Sequence, residues 1–258
     1  MKKTLFQSMV FCLTLLTFAA FTGCEDNAAA SSDAERHESA ISSIVGTWRE
    51  DKEYGINILS IKEDGSYTVY HTSGGVEQGT IKTERDESDD GVSAAKFRFY
   101  DEFGELWSEF PNLPEYAENP PVELISESSD RMHFIRMDES QKAAAEDYPG
   151  TWQSGRCSIT VSKTKNGYKV NITWGSSAFE NSEWNYICRY DEKSAELICN
   201  GGATLVNHKY DENGKDIKTT VYKDGSGSFK VTDGLLRWTD NKENAGKDLY
   251  FAPLPDNE

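Results

Sequence analysis

Apolar and polar residues alternate with a period of two over much of the second half of the chain. Tyr, Val, Ile and Trp alternate with Lys, Asn and Thr over 168–174, and Trp, Tyr, Cys and Tyr alternate with Asn, Ile and Arg over 184–190. Such alternation is typical of strands that bury one face and expose the other. Shorter runs of the same kind occur at 67–69, 97–99 and 122–124. The pattern therefore predicts an all-β, antiparallel protein.

A short sequence repeat divides the chain into two similar parts. Val45-Gly46-Thr47-Trp48 recurs as Pro149-Gly150-Thr151-Trp152, and each copy precedes a strand-like run, a tight turn and a second run that opens on tyrosine. Internal repetition of this kind predicts two tandem β domains. The second unit contains about eight or nine short strand signals, and only a closed barrel or a sandwich removes so many strand edges in so small a unit.

Changes in composition predict five segments. Residues 1–24 have the pattern of an export signal, and 25–43 are small and polar, as expected of a flexible tether. The two β domains are expected over 44–138 and 149–258. Between them, 139–148 is rich in helix-forming residues and predicts a short linking helix.

The export signal ends in a cysteine. Lys2 and Lys3 precede an apolar segment, and Thr22-Gly23 stands directly before Cys24. This arrangement resembles the bacterial lipoprotein signal, in which the cysteine is lipidated and becomes the first residue of the mature protein. The resemblance implies a bacterial cell-envelope protein, lipid-anchored on the extracytoplasmic side. The alternatives are a simple secretory signal or an uncleaved transmembrane helix.

The net charge limits the partners that the protein can bind. The chain carries −17, and loss of Lys2 and Lys3 with the signal gives −17 − 2 = −19. This charge argues against nucleic acid and against a second, electrostatic membrane contact, because both surfaces are anionic. Acyl chains alone would hold the protein on the membrane, since each buried methylene contributes about 0.8 kcal/mol.

The repeated Gly-x-Trp carries a second resemblance. A Gly-x-Trp on a first strand, a meander of short strands and an arginine on a last strand resemble the lipocalin-like (calycin) barrels. The matching residues are Gly46, Trp48 and Arg136 in the first unit and Gly150, Trp152 and Arg237 in the second. The resemblance implies two tandem small up-and-down barrels whose bottoms these residues close, with each arginine over a tryptophan face. Segments 174–180 and 237–246 look like parts of uncharacterised lipoproteins of anaerobic gut bacteria, a similarity that carries no activity.

Residues that could perform catalysis or bind metal form no recognisable motif. The acidic stretches 84–90 and 211–216 lack the spacing of an EF-hand, and no Gly-x-Ser-x-Gly occurs in a strand-turn-helix context. The histidines have no Cys or carboxylate at metal-ligand spacing; they are His37, His71, His133 and His208. The sequence therefore predicts a non-enzymatic protein with no cofactor and no metal.

Two cysteines are candidates for a disulfide. A tight turn centred on Lys193-Ser194 would place Cys188 and Cys199 opposite each other on one face of a hairpin. The exported location permits a bridge, which would contribute roughly 3 kcal/mol in the loop-closure description. The alternative is that both, together with Cys157, are buried thiols, and both interpretations stay open.

The candidate binding residues belong to the loop 175–183 between two tryptophans. Aromatic anchors beside polar groups are typical of interfaces. The candidate contacts are Trp174, Ser176, Ser177, Phe179, Glu180 and Trp184. The alternative is that both tryptophans are core residues and the loop is only a connection.

The predicted function is non-catalytic binding, either of a small apolar molecule inside a barrel or of a protein at the loop ends. A lined cavity would favour the first and a filled core the second. The alternative is an envelope assembly factor, or an inhibitor of a secreted or host enzyme, that acts through 111–121 or 175–183.

Overall fold

The structure is a computed structural model that describes residue 38 and residues 40–52, 56–86, 94–114, 120–127 and 131–254. The predicted signal peptide 1–24 with Cys24, His37 and most of the predicted tether 25–43 therefore lie outside the described residues. The same holds for most of the acidic stretch 84–90 and for half of the proline-rich loop 111–121.

Eight antiparallel strands form the first barrel. The strands are β1 (Gly46–Glu50), β2 (Asn57–Ile61), β3 (Ser66–His71), β4 (Val76–Asp86), β5 (Ala94–Asp101), β6 (Leu106–Pro114), β7 (Glu123–Ile125) and β8 (His133–Arg136). Their order in the sheet is β6-β5-β4-β3-β2-β1-β8-β7, so strands that follow one another in the chain are paired. A backbone hydrogen bond from Glu127 N to Glu109 O (3.1 Å) links the two ends. The sheet is thus a nearly closed up-and-down barrel.

The second barrel repeats this topology. Its strands are β9 (Gly150–Ser154), β10 (Cys157–Thr164), β11 (Gly167–Gly175), β12 (Glu180–Asp191), β13 (Glu196–Tyr210), β14 (Asp216–Thr232), β15 (Leu235–Asp240) and β16 (Ala252–Pro253), in the order β15-β14-β13-β12-β11-β10-β9-β16. Leu236 and Phe251 exchange two backbone hydrogen bonds of 2.9 Å across the remaining gap. The all-β prediction of two tandem antiparallel up-and-down barrels is confirmed.

Helix is confined to short turns in the described residues. A helical turn over 40–44 leads into β1, and the linking helix predicted over 139–148 is a single 3₁₀ turn, Ala145–Asp147. The backbone around this turn is held by the second barrel, because Tyr190 donates to Ala143 O (2.7 Å) and Tyr168 donates to Ala145 O (2.9 Å). These carbonyls accept from side chains instead of from the next helical turn, which keeps the segment short.

The two Gly-x-Trp copies have the same local structure. Gly46 and Gly150 have φ of 137° and 136°, a backbone conformation that suits glycine. The indole of Trp48 donates to Ile44 O (2.9 Å), and the indole of Trp152 donates to Tyr148 O (3.0 Å). Each tryptophan therefore bonds to the carbonyl four residues before it, and the repeat in sequence is a repeat in structure.

Arg136 closes the bottom of the first barrel. Strand β8 places it directly opposite Trp48, and its guanidinium lies 4.1 Å from the centre of the indole. The guanidinium also donates to three backbone carbonyls, those of Val45 (2.6 Å), Ser43 (2.8 Å) and Pro121 (2.9 Å). Burial lowers the pKa of Arg136 from its usual value. A single side chain thus ties together the start of β1, the end of β8 and the segment before β7.

The second barrel closes in a different way, and the prediction that Arg237 lies over Trp152 is wrong. Arg237 points outward on β15 and lies 5.2 Å from the ring of Tyr250. The strand next to β9 is β16, and it sets Pro253 opposite Trp152. Because β15 alternates, its inward neighbour Trp238 takes the interior position and Arg237 cannot.

Aromatic rings fill both barrels. In the first, rings of Tyr67, Phe99, Phe110 and Phe134 contact one another in series, with centroid distances of 5.0, 5.0 and 6.2 Å. In the second, the series runs from Trp174 through Trp184, Trp238 and Tyr186 to Phe229, at 6.3, 5.1, 6.4 and 5.3 Å. Edge-to-face packing of this kind adds stabilisation beyond the area that it buries.

The barrels pack side by side in the same direction. We define the base of each barrel as the end where Gly46 or Gly150 begins the first strand, and the top as the opposite end. Asp138 N donates to Asp233 Oδ2 (2.7 Å) at the base, and Gly155 N donates to Thr72 O (2.7 Å) at the top. Between these contacts lies a small shared apolar cluster of Ile56, Ile58, Met137, Leu235 and Tyr250.

Replacement of Arg136 by alanine is expected to destabilise the first barrel by roughly 2–4 kcal/mol. The change leaves three backbone carbonyls without their hydrogen-bond donor and exposes Trp48. Urea unfolding of the mature chain, followed by tryptophan fluorescence, measures the change. Arg237→Ala is the matched control and should cost less than about 1 kcal/mol, since Arg237 is exposed. Equal losses in the two variants would contradict the role given to Arg136.

Candidate functional site

The top of the second barrel carries the candidate binding residues. We call this surface the rim; it comprises the loop 175–179, the hairpin tip 211–215 and the first part of β14 from Asp216 to Val221. The loop joins β11 to β12 and the tip joins β13 to β14, so both lie at the same end of the barrel. Tyr210 connects them, because its N–H donates to Phe179 O (2.8 Å) and its partner in the ladder is Asp216.

Hydrogen bonds fix the loop and present Phe179 to solvent. Ser176 N and Ser177 N both donate to Glu180 O (3.0 and 3.1 Å), and Phe179 N donates to Ser177 Oγ (3.1 Å). The Phe179 side chain is nevertheless 64% exposed. An exposed aromatic side chain on a loop with a fixed backbone loses little conformational entropy when a partner covers it.

The six predicted contact residues have different environments. Phe179 is exposed, whereas Ser177 supports the loop and Glu180 pairs with Lys209 Nζ (2.9 Å). Trp184 is only 4% exposed and Trp174 is half-buried, and both pack in the core around Trp238. Trp184 therefore lies beneath the rim, where it cannot touch a partner directly.

The rim also contains apolar residues that sequence reasoning missed. Ile217 and Val221 on β14 are 49% and 43% exposed, and Tyr210, which directly precedes the hairpin tip on β13, is 36% exposed. The period-two pattern could not show that β13 and β14 continue past the end of β15, because that depends on the stagger of strands in a closed barrel.

A buried carboxylate stabilises the barrel beneath the rim. Asp240 is fully buried, and its Oδ1 accepts from Tyr186 (3.1 Å) and Tyr222 (2.9 Å). Its Oδ2 accepts from Glu243 N (2.9 Å). Burial is the main cause that raises the pKa of both tyrosines well above the usual value. The charge of Asp240 raises the pKa of Tyr186 further, and the hydrogen bond to Asp240 does the same for Tyr222. Both phenols thus stay protonated as donors, and the network holds the 240–246 loop over Trp238.

The described histidines lie beside carboxylates on the outer walls. His208 is the most buried, with Nδ1 at 3.0 Å from Asp216 Oδ2 and Nε2 at 3.4 Å from Glu183 Oε2. The hydrogen bond from Asn185 lowers the pKa of Glu183. His71 and His133 have similar partners, with Glu77 beside the first and Asp51 and Glu123 beside the second. Within the described residues no group of three or more such side chains could hold a metal ion.

The cysteines of the second barrel are buried thiols. The turn after Asp191 has the predicted register, with Arg189 opposite Ile198, and this brings Cys188 and Cys199 together in the core. Both are free, as is Cys157, so the disulfide that the sequence left as one alternative is not formed in this structure. Burial raises the pKa of Cys157 to about 12, and burial together with Cys199 raises the pKa of Cys188. Neither thiol is set up as a nucleophile.

Thiol titration distinguishes the two alternatives. Residues 25–258 contain three cysteines, Cys157, Cys188 and Cys199, so a chain of these residues should have three free thiols if none of them is bridged. In the folded protein at about pH 8 we expect no reaction with an aromatic disulfide reagent, because burial disfavours the thiolate. In guanidinium chloride all three should react at once. A single reactive thiol after denaturation would show that Cys188 and Cys199 are bridged.

Comparisons place no further constraint on the site. No protein-family model, no curated protein and no solved structure matches the chain. In the part of the chain that the structure describes, no helix is long and apolar enough to cross a membrane.

Proposed function

We propose that the chain is a bacterial envelope lipoprotein, anchored by lipid at Cys24, whose two lipocalin-like barrels serve a non-catalytic binding role. The rim of the second barrel binds a protein partner, with Phe179 as the anchor. The observation that carries this proposal is the combination of filled barrel interiors with an exposed aromatic side chain on a fixed loop.

The first argument is the filled interior. An eight-stranded barrel is just wide enough either to be filled by side chains or to hold one small ligand. Here the rings at its centre are fully buried and touch one another; among them are Phe99, Phe110 and Phe134 in the first barrel and Tyr186, Phe229 and Trp238 in the second. This packing favours recognition at the surface over carriage of a small apolar molecule.

The second argument is the chemistry of the rim. Interface anchors are commonly aromatic side chains surrounded by polar groups that exclude water from the contact. Phe179 has this setting, with Ser176 and Ser177 before it and the ion pair of Glu180 with Lys209 after it. The loop backbone is already hydrogen-bonded, so binding orders little that is not ordered in advance.

The rim lies at the end of the molecule opposite to the base where the described chain enters the first barrel. The described chain begins with the helical turn over 40–44 at the base of the first barrel, and Arg136 fixes this turn through Ser43 O. The tops of both barrels point away from that base. A tether that joins the base to a membrane therefore does not cover the rim, and a soluble or surface-bound partner can reach it.

Lipid attachment is tested by replacement of the cysteine. The wild-type chain expressed in a bacterium should fractionate with membranes and release a diacylglyceryl-modified N-terminal peptide in mass spectrometry. Cys24→Ala should abolish the modification and leave the protein in the soluble or unprocessed fraction. A modified peptide from the C24A variant, or unmodified Cys24 in the mature wild type, would contradict the anchor.

Partner binding is tested by truncation of the anchor. Phe179→Ala should reduce capture of envelope proteins by the purified mature chain at least about tenfold, because a buried aromatic anchor is typically worth 2 kcal/mol or more. Quantitative crosslinking and mass spectrometry on envelope extracts measures the captured protein. Urea unfolding should be unchanged, since Phe179 packs little in the free protein.

Phe103→Ala is the matched control for that experiment. Phe103 is 82% exposed in the turn between β5 and β6 at the top of the first barrel, so the two variants remove the same side chain from similar exposed turns. Capture should survive F103A. Capture that survives F179A, or that falls equally in both variants, would contradict the assignment of the rim.

A further inference from the structure

One strand of the second barrel has a long free edge. Strand β14 has 17 residues, but its outer neighbour β15 has only 6 and pairs with β14 from Gly227 to Thr232. A hydrogen bond from Asn241 N to Ser226 O extends the pairing by one position. Among the described residues, the edge of β14 from Asp216 to Gly225 has no strand beside it, although its other edge pairs with β13.

The first part of this edge is open to solvent. Every residue over 217–221 is exposed, and Ile217, Thr219, Thr220 and Val221 are β-branched. Such residues favour extended backbone, and a free strand edge presents a row of unpaired N–H and C=O groups to another chain. The edge is therefore a ready template for an added strand.

The charge on the edge selects what can pair with it. Lys218 and Lys223 lie on this part of β14, and Lys215 lies directly before it, in a chain whose net charge is −17. The acid among them, Asp216, accepts from His208 at 3.0 Å and lies 3.5 Å from the Lys218 ammonium, which leaves Lys215 and Lys223 as the lysines without a described acidic partner. An incoming strand with carboxylates would find the opposite charge.

A bulge limits the site to the start of the strand. The ladder between β13 and β14 pairs Val206 with Thr220 but Leu205 with Tyr222, so Val221 is an extra residue on β14. A bulge twists the strand and ends regular pairing there. Regular strand addition is thus confined to Asp216–Val221, beside the hairpin tip.

We propose that this edge of β14 binds an extended, acidic segment of the partner protein by β-strand addition. The inference rests on the proposed function, because the edge belongs to the same rim as Phe179. Tyr210 links the two through its hydrogen bond to Phe179 O and its pairing with Asp216. Main-chain hydrogen bonds supply the affinity, the lysines select acidic sequence, and Phe179 supplies the apolar anchor.

The probe is a synthetic peptide in which valine alternates with glutamate. It has roughly eight residues, the length of an ordinary strand. Binding to the mature chain in detergent is measured by fluorescence anisotropy, and the site is located by hydrogen exchange. We expect binding and slowed exchange confined to 216–221.

Lys218→Glu combined with Lys223→Glu should weaken binding at least about tenfold, because charge pairing across the contact is reversed. Lys165→Glu combined with Lys169→Glu, in the turn before β11 and on β11 itself, matches the charge change away from the rim and should have no effect.

Three results would overturn strand addition: equal binding of a peptide that alternates valine with lysine, undiminished binding of an alternately N-methylated acidic peptide, or no protection at 216–221. These experiments can fail independently of the test of the proposed function. Loss of partner capture in F179A without peptide binding would remove the strand-addition inference and leave the rim as a binding surface. Unchanged capture in F179A would remove the rim function itself.

Discussion

The contact of aromatic rings inside each barrel is the interaction on which the rest of the structure depends. In the first barrel Phe99 and Phe110 pack edge to face at 5.0 Å, and in the second Trp184 and Trp238 pack in the same way at 5.1 Å. Eight strands enclose little more than such rings require. Because the interior is filled, the strands gain a core that small domains otherwise struggle to build. The proposed binding would therefore take place on the outer surface and at the strand ends.

The two barrels solve the same closing problem with different side chains. In the first, Arg136 stacks on Trp48 and satisfies three carbonyls around it. In the second, the corresponding end has Pro253 opposite Trp152, and Tyr148 takes over the polar role through its hydroxyl, which donates to Ala195 O (2.6 Å). The repeated Gly-x-Trp is therefore a shared entry into the barrel, while the remainder of each closure has diverged. The top of the second barrel is left free to carry the rim.

Much of the fold follows from local patterns. The alternation over 168–174 and 184–190 predicted β11 and β12 correctly, and the Gly-x-Trp repeat predicted two barrels, because period-two burial and the need for glycine at positive φ are local properties. Arg237 was assigned wrongly because its role depends on which strand closes the second barrel. That strand, β16, has two residues, too few for a sequence signal.

The candidate site was predictable only in part. An exposed Phe179 could be expected from its polar loop, and the burial of Trp184 from its place on the apolar face of the alternation over 184–190. The contact of Trp184 with Trp238 could not be expected, because the two residues are far apart in sequence. The Asp240 network was missed because it joins β12, β14 and β15 through side chains with no common motif. The free edge of β14 was missed for a similar reason, since it arises from the unequal lengths of β14 and β15.

The central claim is that side chains fill the barrels, so that the proposed binding occurs at the surface. The most direct test is native mass spectrometry on the mature chain, purified from a bacterial membrane in mild detergent. We expect to measure the mass of the lipidated polypeptide alone after collisional activation has removed the detergent. A small apolar molecule retained at one or two copies per chain would contradict it, because no such molecule fits among the buried rings without displacing them.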